Sequence, residues 1–212
     1  MIQTIANSAE SLISEKCYID LFGGYTRLGQ IKKNIEGKES LIKFPMSCLN
    51  SDSCYNNKNY LELLPSNKHK SVAYFEQLSP ARAVKNSTKY PDKYNAKDWS
   101  ASLRLVMWYN MHKLGYNVCS IADHLSNDLI ECFSMRYNIE DPFNLNEVQW
   151  NVTGLIYNDT QLIFGKYSYS DIAVAFGVPP YEFIAIDFDV RWTVFGDCVL
   201  NEPFICQDPV EC

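Results

Sequence analysis

The run Ile184-Ala-Ile-Asp-Phe-Asp-Val-Arg-Trp-Thr-Val194 alternates without error. Ile184, Ile186, Phe188, Val190, Trp192 and Val194 fall on one side, and Ala185, Asp187, Asp189, Arg191 and Thr193 on the other. Successive side chains of an extended chain point to opposite faces, so this period predicts a strand with one buried and one wet face. Two more stretches carry the same signal. Val148, Trp150, Val152, Gly154 and Ile156 alternate with Glu147, Gln149, Asn151 and Thr153. Over Trp99–Tyr109, Ala101, Leu103, Leu105, Met107 and Tyr109 share a face, and the opposite face (Ser100, Ser102, Arg104, Val106, Trp108) turns apolar towards its end.

Two segments have helical spacing instead. In residues 3–16, Ile5, Ala6, Ala9, Leu12 and Ile13 make one apolar stripe. In residues 120–133, Ser120 with Asp123 reads as a capping-box-like start, and Ile121, Ala122, Leu125, Leu129, Ile130 and Phe133 form the stripe. A strand is expected at 17–22, broken at Gly23-Gly24 and resumed over Tyr25–Ile31 as a hairpin or a bulge. Gln161–Phe164 and Asp171–Phe176 fit short strands or a short helix, with Gly177-Val-Pro-Pro as a stop. Runs of strands with segregated helices argue for α+β: an antiparallel sheet with one face covered by helices at about 3–16 and 120–133. The chain reads as a single domain, 1–212. Residues 34–98, rich in Asn, Ser, Lys, Tyr and Pro, read as a long irregular insertion or arm holding one strand at Ser71–Leu78, and 201–212 as a C-terminal tail.

Composition narrows the function classes. With 19 Lys and Arg against 25 Asp and Glu, the net charge of −6 opposes a broad cationic face for nucleic acid. No stretch of 18 apolar residues occurs, so no helical membrane span is expected. The N-terminal residues lack a basic stretch followed by an apolar core, and a cytosolic origin with mostly reduced thiols is expected. Eight cysteines form no CxxC pair; Cys17, Cys119 and Cys132 sit in patterned segments and are expected in the core. Phosphate-loop, GxSxG and HExxH patterns are absent, so neither cofactor nor metal is expected. His69, His112 and His124 are far apart in sequence, and His124 stands four residues from Asp128, within reach on a helix surface.

Asp187-Phe-Asp189-Val-Arg191 is the strongest chemical constellation. Alternate strand residues put two carboxylates about 7 Å apart with a guanidinium beside them. Such a pair could hold Mg²⁺ or serve as acid and base in a small enzyme. The ordinary alternative is a wet sheet face whose charges offset one another; against another subunit, the same three residues would fix register. The 14 Tyr residues are the other signal. Tyr55, Tyr60, Tyr90 and Tyr94 fall in or beside loops, where tyrosines suit docking to other proteins. Basic residues interleave with them only in Lys85–Lys97, and a solvated loop is the simpler reading of that run.

The heavy use of Asn, Lys, Tyr and Ile, the N-terminal helix, the long insertion, then strand, capped helix and final strands ending in Val190-Arg-Trp-Thr-Val-Phe-Gly-Asp-Cys-Val-Leu200 together resemble a known class. It is the neck, ring and tail-completion subunits of tailed bacteriophages, the tail-terminator-like fold in particular; the residue usage is similar to that of crAss-like phages of gut Bacteroides. The resemblance covers residues 1–33 and 99–200 as an order of elements. It implies a non-enzymatic virion subunit, made in the bacterial cytoplasm, that forms a homo-oligomeric ring between portal and tail and contacts portal, neck or tail subunits. DNA would pass through its acidic channel without specific binding. Residues 34–98 would then reach the neighbouring subunit, and deleting Asn50–Asn59 would leave a folded monomer that does not assemble. A monomeric ligand- or peptide-binding domain is the rival expectation.

Overall fold

The computed structural model describes residues 2–13, 16–35, 38–48, 60–63, 65–86, 97–115, 121–134, 145–167 and 180–194. The three alternating stretches are antiparallel neighbours. Strand β8 (Tyr181–Val194) lies between β6 (Lys97–Asn110) and β7 (Leu145–Tyr157). Its register with β6 is unbroken from Lys97↔Val194 to Asn110↔Tyr181. On the other side of β6 lies β4 (Ser71–Gln77), then β1 (Leu21–Ile35), β2 (Lys38–Cys48) and the short β3 (Tyr60–Glu62). An eighth strand, β5 (Arg82–Asn86), pairs with the start of β6.

The fold is mixed α+β, but the sheet is not purely antiparallel as expected: β1 and β4 run parallel. The chain makes the β1–β2 hairpin and then returns to the far side of β1, a path that alternation does not encode. A second correction concerns coverage. Only one face was expected to be covered by helices, yet residues 71–76, 103–110 and 182–186 are buried at every position, because both faces of the central strands are packed. The first core takes Phe75, Leu105, Ile186, Phe188 and Trp150 under Ile5, Ile13, Leu125 and Phe133. The second takes Val72, Tyr74, Val106, Trp108 and Phe183 with Phe44, Ile163, Phe164 and Tyr167.

The first helix is in two pieces, α1 (Ile2–Ser8) and α2 (Glu10–Ile13), where one was expected over 3–16. Ser8 Oγ donates to the Ile5 carbonyl and Ser11 Oγ to the Ser8 carbonyl, a back-bonding that bends helices. Helix α3 (Ile121–Phe133) buries Ile121, Leu125, Leu129 and Phe133; the expected cap at Ser120 lies outside the described residues. Gln161–Phe164 falls in a helix, α4 (Thr160–Phe164), whose cap Asp159 accepts from Leu162 N at 2.9 Å. Asp171–Phe176 lies outside the described residues.

Gly23-Gly24 makes a bulge inside β1: the register against β4 shifts between Phe22 and Tyr25. Gly24 has φ +60, and a Cβ there would stand 2.4 Å from Asn7 Oδ1, the atom that accepts from Tyr25 N. The strand expected at 17–22 starts only at Leu21. Within 34–98, read as irregular apart from one strand, the structure places β2, β3, β4 and β5 and the start of β6; residues 49–59 and 87–96 lie outside the described set, as does the tail 201–212. Cys17 is exposed rather than core, Cys132 is half-buried, and Cys119 is not among the described residues.

Candidate functional site

Register decides the fate of the acidic residues in β8. Glu76, Arg104 and Asp187 stand side by side across β4, β6 and β8. Arg104 grips Asp187 with both arms of its fork, Nε to Oδ1 at 2.6 Å and Nη2 to Oδ2 at 2.8 Å, and its Nη1 donates to the Leu162 carbonyl at 3.1 Å. The hydrogen bond to Asp187 outweighs burial and raises the guanidinium above its ordinary range. Glu76, only 3% exposed, accepts from Tyr167 OH at 2.9 Å and pairs with Lys166 at 2.5 Å. Two acids and two bases thus form a balanced row beneath α4.

Asp187 therefore does not act with Asp189 and Arg191 as one group. Asp189, two residues along, pairs with Arg191 at 3.4 Å, and the Arg191 side chain is 60% exposed. A cross-strand partner divides the expected triad: one carboxylate is clamped in the sheet, the other stays at the surface. Among the described residues, no three His, Cys, Asp or Glu side chains gather as a metal site. His124 is exposed, and the carboxylate of Asp128 is held from a different side: Lys16 Nζ and Tyr18 OH each reach it at 2.7 Å. Burial raises the Asp128 pKa, and the bonds from Lys16 and Tyr18 outweigh it to hold the group below the ordinary carboxylate range. The bond to Asp128 raises Lys16.

A groove of about 510 Å³ opens where β1 departs from β4 after Tyr25↔Phe75. Tyr25, Arg27, Glu76, Gln77, Lys166 and Tyr167 line it. Tyr25 OH donates to Gln77 Oε1 at 2.8 Å. Sequence reading did not single out Glu76, Lys166 or Tyr167, because only the β1–β4 junction and the α4 exit bring them together.

Beyond this junction β1 continues as an arm with β2, paired from Thr26↔Ser47 to Ile35↔Lys38. Phe44 and Ile42 root it in the second core. Farther out, Lys32 and Glu39 are about three-quarters exposed and pair at 3.5 Å, and Leu28 and Leu41 are nearly half exposed. At the opposite end of the sheet β7 is the edge strand, with Val152, Leu155 and Tyr157 exposed; Tyr157 OH lies 2.9 Å from Ser126 Oγ of α3. Of the interface tyrosines, Tyr60 lies in β3 opposite Cys48; Tyr55, Tyr90 and Tyr94 are outside the described residues. Compared with protein-family models and with curated proteins, the sequence matches none.

Proposed function

We propose that the chain is a non-enzymatic assembly subunit of a virion, building a homo-oligomeric ring in the neck or tail of a tailed bacteriophage, next to portal or tail subunits. The β1–β2 arm carries this reading. Beyond the root at Phe44 and Ile42, a two-stranded extension of roughly 13 Å, at about 3.3 Å per residue, with Leu41 exposed, serves contact better than fold stability. The clamped Asp187 supports a structural role for the charged row, since both its oxygens are spent on Arg104. The net charge of −6 suits a bore through which DNA slides without sticking.

The native mass of the full chain, measured across concentration, tests this. Ring formation predicts species at six- or twelve-fold multiples of 24.4 kDa that grow with concentration. A strict monomer at all concentrations favours the second reading, a ligand- or peptide-binding module, for which the groove beside Glu76, Lys166 and Tyr167 has a suitable volume.

A further inference from the structure

We infer that the arm of one copy docks on the β7 edge of the next, so that the ring closes through a head-to-tail contact between opposite ends of the same sheet. The inference rests on the assembly reading above and names the two surfaces. Charge supplies the first argument. Residues 21–48, the β1–β2 unit, hold five Lys and Arg against two Glu, in a chain whose net charge is −6. The flank built from α3, β7 and α4 is the reverse: residues 121–134 and 145–165 contain Asp123, Asp128, Glu131, Glu147 and Asp159 and no Lys or Arg. Asp123, Glu131 and Asp159 are exposed, while Asp128 is held by Lys16. A positive arm facing an acidic edge steers encounter and fixes orientation.

The edge itself supplies the second argument. Among the described residues no strand pairs with the outer side of β7, and the strand contains none of the Lys or Pro residues that commonly guard an edge. Bulges interrupt it at Asn146/Gln149 and Val152/Gly154, but Gly154–Tyr157 keeps a regular register and presents exposed Leu155 and Tyr157. Backbone groups and apolar side chains together suit strand addition by a neighbour's arm. Geometry makes the contact intermolecular: β4, β6 and β8 separate the arm from β7 within one copy. A contact between two different surfaces is heterologous, and its repetition closes a ring when the rotation between neighbours divides a full turn.

A charge-swap pair tests this on the full-length chain. One variant carries Lys32→Glu with Lys43→Glu on the arm, the other Asp123→Lys with Glu131→Lys on the acidic flank, and circular dichroism confirms that both are folded. Each variant alone is expected to lose assembly, with at least a tenfold weaker apparent association in sedimentation. Mixed in equal amounts, they are expected to recover it in an alternating ring, since the acidic arm then meets the basic edge. Two variants that assemble like the wild type would overturn the inference and leave the ring reading standing. So would a mixture that stays monomeric, or arm-less chains that still pair through β7. A wild type that is monomeric throughout would remove both.

Discussion

The inner strands β4, β6 and β8 and the outer arm of β1 and β2 belong to one sheet but are held by different forces. Inside, both faces are covered: Phe75 alone has the rings of Phe22, Phe133, Trp150 and Phe188 within 6.4 Å. In the arm, burial stops at Phe44 and Ile42, and farther out an exposed Lys–Glu pair takes its place. The difference separates residues that keep the chain folded from residues that remain open to a partner. Burial of apolar area scales with stability, whereas a surface ion pair contributes little.

Substitutions should sharpen that division in order of size. Phe75→Ala, which empties the centre of the first core, is expected to destabilise by about 4 kcal/mol in denaturant unfolding. Next comes Arg104→Ala, about 3 kcal/mol, because it strips Asp187 of both hydrogen bonds of the bidentate clamp; Asp189→Asn, two residues away, should stay within about 0.5 kcal/mol. Equal effects of these two would break the distinction between the clamped and the surface carboxylate.

A smaller effect should follow pH. Asp128 is held below its ordinary range, so the stability it contributes is present above about pH 4 and disappears as pH falls through its lowered folded value. Lys16 is raised, so its share is present below about pH 10.5 and is lost as pH climbs through its folded value. Asp128→Asn should therefore lower the melting temperature between those limits, for roughly 1 kcal/mol or less, and converge with the wild type in acid. A constant difference across pH would contradict the Lys16–Asp128–Tyr18 contact.

The three long strands and the helix at 121–133 are legible in the sequence because alternation and helical spacing both report burial on one side; the bulge at Val152/Gly154 was not, and it moves Ile156 from the face of Val148 and Trp150 to the second core. Ile184–Val194 gave its face assignment directly: Ile186, Phe188, Val190 and Trp192 all lie in the first core. Strand direction was not legible, since a parallel and an antiparallel neighbour impose the same period of two. Strand β2 was hidden for another reason: Lys38–Cys48 is an arm strand with mixed sides, and its composition resembles that of a loop. The charged row was half visible. Asp187 stood out on its strand, but Arg104 and Glu76 join it only through the register of β4, β6 and β8, which no local pattern contains.

The most direct test removes the arm and keeps its root. Replacing residues 32–41 by an Asn-Gly turn joins Ile31 to Ile42, which already face each other across the hairpin. Sedimentation of this chain beside the full-length protein is expected to show a folded 24-kDa-class monomer where the full chain forms a ring. A shortened chain that assembles with the same mass and the same concentration dependence would contradict the assignment of assembly to the arm.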